Sequence, residues 1–350
     1  MAVLETNKEL ISDKEIILRV EGLKTYFFTA SGVNKAVDGV SFTLKKGATM
    51  GIVGESGSGK SVTSASVMRL MQAKSEKIMD GVITFEDVDI MKLSQKELLK
   101  FRGSECCMIF QNPMTSLDPV FKIGYQMVEM IRAHQKISKK EAWKKAVEAL
   151  KLVGIPEAEK RMEAYPHELS GGMCQRVIIA MAVCGSPKLI IADEPTTALD
   201  VTVQAQVLEL LKSLQAKLDT AILLITHNLG VVWDMCDTVM VMYAGNTVEY
   251  ADTKTLYQEP MHPYTWGLLD SMPKLSSSSK KELTTIPGTP PDLRLTGVCC
   301  NFYNRCPYVT EACKKTVPPL VEVKPGHFVA CHRQNGLNKL VRGEVNGDGE

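Results

Sequence analysis

The 350-residue chain has no apolar run approaching the roughly 18–20 residues that a membrane-spanning helix requires. Any attachment to a membrane is therefore expected to come through a partner. The first residues, Met1-Ala2-Val3-Leu4-Glu5-Thr6-Asn7-Lys8-Glu9, have neither the basic stretch nor the apolar core of a secretory leader, so an intracellular protein is expected. Net charge is nearly absent: 41 Lys and Arg against 40 Asp and Glu leave +1, which argues against nucleic-acid binding by broad electrostatics. There is also no long heptad run. Cysteine, by contrast, is plentiful for a reducing compartment. Five of the ten lie between Cys299 and Cys331, which favours a local metal centre over a disulfide framework. With 45% hydrophobic and 23% charged residues the balance is that of an ordinary globular protein, long enough for a large domain and an appendage.

The most informative stretch is Gly54-Glu55-Ser56-Gly57-Ser58-Gly59-Lys60-Ser61. It follows the apolar run Met50-Gly51-Ile52-Val53, a short buried strand, and leads into a helical stretch from Ser64 to Met71. Strand, glycine-rich turn and helix together make G-x-x-x-x-G-K-[ST] a phosphate site. Gly57 and Gly59 let the backbone curl so that successive N–H groups point inward as an anion nest. The positive end of the following helix adds to that field. Lys60 supplies a cation for the β- and γ-phosphates, and the Ser61 hydroxyl is placed to ligate Mg²⁺. A chance glycine-serine loop is the competing reading, and the complete match in context outweighs it. The chain is expected to bind a nucleoside triphosphate.

In chain order, residues 1–15 read as a polar tail and Ile16 to Glu21 as a strand. The aromatics Tyr26, Phe27 and Phe28 follow, one of which could stack on a purine while the others pack in a sheet. Gly81 to Ile90 alternates as a hairpin would, Gln95 to Arg102 reads as a short helix, and Met108-Ile109-Phe110 as a buried strand that ends at Gln111. A polar amide at a strand end in an α/β protein sits where ligands gather, although alone it is more often a loop residue. Gly124 to His134 and Lys139 to Val153 have helical periodicity with no strand between them, as an inserted helical subdomain would. Leu169-Ser170-Gly171-Gly172-Met173 opens a further helix and has the form of a second anion site. The apolar run from Leu189 delivers Asp193, suited to holding Mg²⁺ through water, and then Glu194, suited to orienting and deprotonating a water. Capping of the next helix is the competing reading, and the four preceding apolar residues together with a phosphate loop outweigh it. A third apolar run, Ala221 to Thr226, delivers His227.

These motifs in this order resemble the ATP-binding subunits of ABC transporters, over roughly residues 16–250. The resemblance implies an α/β P-loop NTPase core with an inserted helical subdomain, at about 101–176, and ATP hydrolysis. Residues 54–61 match the Walker A loop, Gln111 the Q-loop that also approaches Mg²⁺, and 169–173 the signature LSGGQ, with Met173 in place of glutamine. Asp193 matches the Walker B aspartate, Glu194 the catalytic glutamate, Ala198-Leu199-Asp200 the D-loop and His227 the switch histidine. An aromatic near Phe27 matches the adenine-stacking position. In such proteins two ATPase subunits dimerise head to tail, so that Ser170, Gly171 and Gly172 act on the partner's nucleotide.

Beyond residue 250, the His262-Pro263-Tyr264-Thr265 segment and the pattern from Cys300 through Phe302 and Arg305 to Cys306-Pro307 are similar to the extension of the oligopeptide/dipeptide/nickel importer ATPases. A C-terminal extension at 251–335 is expected, with a serine-rich linker at 276–281 and a tail at 336–350. The spacing Cys300-x₅-Cys306-x₆-Cys313-x₁₇-Cys331 is poor for a zinc ribbon and better for a cluster held by four thiolates. The resemblance implies a [4Fe–4S] cluster of structural role. Zinc, with His332 as an added ligand, and four buried unligated thiols stay open, and Cys299 is the member outside the pattern. The other cysteines read as small buried hydrophobes. The family further implies a homologous second ATPase subunit, two membrane permease subunits and, indirectly, an extracytoplasmic solute-binding protein. The chain is then expected peripherally on the cytoplasmic membrane face, energising import of di- and oligopeptides. Nickel, glutathione or another small solute is the alternative cargo, and a soluble non-transport ABC ATPase the more distant reading.

Overall fold

The computed structural model describes residues 15–71, 73–197, 199–272, 285–334, 340 and 342. The expected linker at 276–281, Ala198, and nearly all of both expected tails lie outside them. In chain order the strands are β1 Ile16–Thr29, β2 Gly32–Lys45, β3 Thr49–Val53, β4 Glu76–Phe85, β5 Val88–Asp89, β6 Cys106–Ile109, β7 Leu189–Asp193, β8 Ala221–Ile225, β9 Thr238–Tyr243, β10 Asn246–Asp252, β11 Val321–Lys324 and β12 His327–Val329. The chain forms two compact units. One comprises Met1–Leu44, Met50–Met91 and Thr226–Glu350, the other Lys45–Thr49 and Lys92–Ile225.

The first unit holds a small sheet of order β2-β1-β4-β5. Its central pair is antiparallel, with Leu18 opposite Phe85 and Val20 opposite Ile83, all buried. The sequence alternation ends at Glu21 because the register shifts between Glu21 and Lys24, around Gly22 at φ 59°; β1 then continues to Thr29. The hairpin expected at 81–90 forms as β4 and β5. The same unit carries β11-β12-β10-β9-β3 as successive neighbours. Here β3 runs parallel to β9, and β9, β10, β12 and β11 are antiparallel in turn. The last strands of the stretch expected as an extension from 251, β11 and β12, pair onto β10 at one edge of this sheet.

The helix after the phosphate loop is Lys60–Val67, beginning at the lysine itself and ending before the expected Met71. Arg69, at φ 49°, turns the chain out of it.

In the second unit β8, β7 and β6 are parallel neighbours, and every residue of β7 and β8 is buried. Runs covered on both faces carry no alternation, which is why they read as continuous apolar segments. The β6 strand ends at Ile109, and Phe110, expected inside it, is 46% exposed. Helix Gln95–Lys100 stops short of Arg102, which is extended, and Gly103 has φ 90°. Helices Ile123–His134 and Lys139–Leu152 follow the periodicity closely. The first buries Ile123, Met127, Val128 and Ile131, and the second opens on a capping box in which Ser138 and Glu141 bond each other's backbone N–H. These helices lie in the same compact unit as β6–β8, and the span 101–176 also includes β6.

Candidate active site

The first unit presents the phosphate loop at the end of β3. Gly54 has φ 152°, and a Cβ there would lie 2.2 Å from the Met242 carbonyl oxygen. Gly59 has φ 102°, and its Cβ would lie 2.3 Å from the Ala36 oxygen. Both glycines are thus required by conformation and by close backbone approach. Gly57, at φ 79°, needs only the conformation, since nothing lies within 4 Å of its Cβ position.

Lys60 is buried, and its Nζ donates to the carbonyls of Gly54 at 2.8 Å and Glu55 at 2.9 Å. The ammonium is thereby held over the loop. Ser56, Gly57 and Ser61 are exposed, and Ser58 is buried. His227 is exposed directly after Thr226, whose N–H donates to Ile52 oxygen on β3 at 3.2 Å. That bond fixes the histidine's backbone beside the strand that feeds the phosphate loop.

Of the three aromatics, the Tyr26 hydroxyl donates to Asp38 at 2.7 Å, and burial with that carboxylate raises its pKa. Phe28 has the Lys77 ammonium 5.4 Å from its ring centre. Phe27 is half-buried on the opposite side of β1 from these two.

The second unit groups other candidates. Asp193 is the buried last residue of β7. Glu194, at φ 46°, turns the chain off the strand while its N–H donates to Ile225 oxygen at 2.8 Å. Its Oε2 accepts from Gln111 Nε2 at 2.9 Å and from Thr197 Oγ1 at 2.8 Å. Gln111 and Glu194 therefore meet, and Thr197 joins them; the sequence reading did not single out Thr197, and no local pattern marks it.

Ser170 caps helix Gly171–Val183 by accepting from the Met173 N–H at 3.4 Å, and Ser170 and Gly171 are exposed. Gly172 lies so near Val203 that a Cβ would be 2.6 Å from its Cγ1. Asp200 is the cap of helix Val201–Leu218, accepting from Val203 N–H at 3.0 Å.

The C-terminal thiols lie in the first unit. Burial pushes Cys300 and Cys306 up to about 12, and each also feels the charges of the other thiols of the set. Nearby backbone N–H groups, of Phe302 for Cys300, Tyr308 for Cys306, and Arg333 and Gln334 for Cys331, work against that rise. Such donors favour thiolate over thiol. Among the described residues, however, no group of three or more His, Cys, Asp or Glu forms an arrangement that could hold a metal ion. The metal centre expected at Cys300, Cys306, Cys313 and Cys331 is not supported by that geometry.

The sequence reading also missed what surrounds Glu55. Its carboxylate is paired with Arg305, and its N–H donates to the Tyr264 hydroxyl at 2.8 Å. Arg305 lies inside the cysteine pattern and Tyr264 inside the His-Pro-Tyr-Thr segment, so both were in view as motif residues without a partner.

Residues 37–197 match the family model described as "ABC transporter", and 248–313 that of "Oligopeptide/dipeptide transporter, C-terminal region". The chain is 53% identical to the oligopeptide transport ATP-binding protein OppD of Bacillus subtilis, across 89% of this chain and 87% of the relative. It is 49% identical to the dipeptide transport ATP-binding protein DppD of the same organism, across 92% and 96%. OppD of Salmonella typhimurium is 46% identical across 95% and 98%. Among solved structures, the dimeric post-hydrolysis state of the ATP-binding cassette MJ0796 bound to ADP and Pi superposes with a TM-score of 0.61. It is 25% identical, covering 67% of this chain and 98% of that one.

Proposed function

The chain belongs to the ABC transporter ATP-binding subunits of the oligopeptide/dipeptide branch, and from that premise we propose that it binds and hydrolyses ATP to energise import of di- and oligopeptides. The observation that carries this reading is the presence of both matched regions on one chain: the ATPase region at 37–197 and the oligopeptide/dipeptide C-terminal region at 248–313. Relatives named for peptide transport, alike over nearly the whole chain, support peptide cargo over nickel or glutathione.

In the proposed mechanism the loop amides of 54–61 and Lys60 neutralise phosphate charge. Lys60 does so by leaving its carbonyl partners for phosphate oxygens. Glu194 accepts a proton from the attacking water, with Gln111 and Thr197 holding its carboxylate in one orientation. Ser61, Gln111 and Asp193 would hold Mg²⁺, which when bound offsets charge between the β- and γ-phosphates. His227 contacts the γ-phosphate, and Phe27 stacks on adenine. The exposed Ser170 and Gly171, with Gly172, face the nucleotide of a second ATPase subunit, a homologous chain in this reading. Asp200 lies at that same contact.

No helix among the described residues is long and apolar enough to cross a bilayer. Peripheral attachment at the cytoplasmic face, through two permease subunits served by a solute-binding protein, is the arrangement proposed. For the C-terminal thiols, Cys300, Cys306, Cys313 and Cys331 would hold a [4Fe–4S] cluster. The spacing of the four cysteines is what supports it.

The deciding experiment is uptake of a labelled tripeptide by cells whose only copy of this chain carries Glu194→Gln. Loss of uptake with the transporter still assembled supports the reading; undiminished uptake overturns it.

A further inference from the structure

Glu55 is the second residue of the phosphate loop, and it is held from outside the loop at two points. The Arg305 guanidinium donates to its carboxylate through both terminal nitrogens, at 2.6 and 3.0 Å. The Tyr264 hydroxyl accepts its backbone N–H at 2.8 Å. Arg305 is itself fixed: its Nε donates to Pro287 oxygen at 2.8 Å and one terminal nitrogen to Ile286 oxygen at 3.2 Å. Its side chain is only 4% exposed. Behind these groups lies a packed aromatic layer, with ring centres 4.6 Å apart for Tyr243 and Tyr264, 5.2 Å for Tyr243 and Phe302, and 5.5 Å for Tyr264 and Phe302.

This arrangement has a consequence for the loop's chemistry. Three of the eight loop residues are glycines with positive φ, and glycine loses the most conformational freedom when a loop is ordered. An anion nest binds tightly only when its amides are already aimed. Glu55 is the one charged side chain between Gly54 and Lys60. Its own carbonyl accepts the Lys60 ammonium at 2.9 Å, so fixing the Glu55 peptide also fixes the lysine. The bidentate fork gives direction as well as strength, which a single ammonium would not.

We propose that Arg305 and Tyr264 are positioning residues for nucleotide binding, holding the phosphate loop in its receptive shape through Glu55. The proposal rests on the phosphate-loop reading of 54–61. It makes the C-terminal region part of the nucleotide site's support in addition to whatever its thiols hold.

The test is the affinity of the full-length chain for MgATP, by calorimetric titration at a temperature where every variant is folded by circular dichroism. Tyr264→Phe removes one oxygen from a residue whose ring stays packed, and Arg305→Met removes the fork. Each is expected to weaken MgATP about tenfold, the scale of one well-made hydrogen bond lost. Arg305→Lys should recover part of the loss. Glu55→Gln combined with Arg305→Met should be little weaker than either alone, because both act through one contact. Should Arg305→Met fail to fold, Tyr264→Phe and Arg305→Lys decide. Affinities within twofold of the parent in folded Tyr264→Phe and Arg305→Lys overturn the proposal, as does full additivity in the double variant. Lys60→Ala is measured alongside: if it leaves affinity unchanged, the phosphate-loop reading itself fails.

Discussion

The side-chain amide of Gln111 donates to the carboxylate of Glu194 at 2.9 Å, joining residues 83 positions apart in the chain. Gln111 follows β6 and Glu194 follows β7, and parallel pairing of those strands sets Ile109 beside Ala192. Glu194→Gln is expected to abolish steady-state ATP hydrolysis while MgATP still binds, since only the proton acceptor is removed. Gln111→Ala should reduce turnover by about tenfold, less than the ~10²–10⁴ that a general base itself contributes, by releasing the carboxylate from its orientation. Phosphate-release kinetics beside a binding titration check both, and normal turnover in Glu194→Gln would remove it from the catalytic role.

Lys60→Ala is expected to weaken nucleotide binding itself, because the ammonium is the only side-chain cation in the loop at 54–61. A titration with a fluorescent nucleotide reads this directly. Retained affinity would show that backbone amides alone carry the phosphates.

The loop glycines are expected to differ in tolerance. Gly59→Ala combines a φ of 102° with a Cβ 2.3 Å from a backbone oxygen, and backbone cannot yield as a side-chain end can. Gly57→Ala meets open space at φ 79° and bears only the left-handed penalty, about 1–2 kcal/mol. Thermal unfolding without nucleotide should therefore place Gly59→Ala well below Gly57→Ala. Equal melting temperatures would contradict the close approach.

His262 gives the protein an acid sensitivity. Burial depresses its pKa from 6.5 to about 4, and its Nδ1 accepts the Tyr264 N–H at 3.0 Å, an acceptor that a proton would remove. Above pH 6.5 it is neutral in both folded and unfolded chains. As pH falls toward 4 only the unfolded chain takes the proton, so stability is lost across that window, by up to roughly 3 kcal/mol at about 1.4 per unit. His262→Asn keeps a capping acceptor that does not titrate. Denaturant unfolding at pH 7 and pH 5 should show a smaller loss in that variant, and an equal loss would assign the sensitivity elsewhere.

Anaerobic purification followed by iron, sulfide and zinc analysis decides whether the C-terminal thiols hold a cluster: about four irons and four sulfides per chain, with a broad visible absorption, would establish it. One zinc without iron would make the region a zinc-stapled module. No metal would leave Cys300, Cys306, Cys313 and Cys331 as ordinary buried thiols.

Local signals carried much of this structure. The phosphate loop, the apolar runs of β3, β7 and β8, and the two long helices each have a period or a fixed spacing that a short window contains. Partnership does not. The β9 strand lies parallel to β3, about 190 residues earlier, with Met50 opposite Thr238. The short run His327–Val329 is a strand because β10 and β11 pair with it on either side. Likewise Thr197 and Gln111 are ordinary polar residues until the fold brings both to one carboxylate. Ion pairs such as Arg305 with Glu55 leave no periodic trace, since each half sits in a motif that already had another explanation.

That last pair spans 250 residues, which puts a clock on the phosphate loop. Ribosomes add roughly 5–20 residues each second, so a chain that has just completed Glu55 waits on the order of tens of seconds before Arg305 exists. Tyr243 and Tyr264 also arrive late. During that interval the loop has its glycines and its lysine but none of the groups that hold it from outside. On the proposal above, full affinity for nucleotide is thereby tied to near-completion of the polypeptide, and a chain cut short before residue 305 lacks the ion pair that braces its most conspicuous motif.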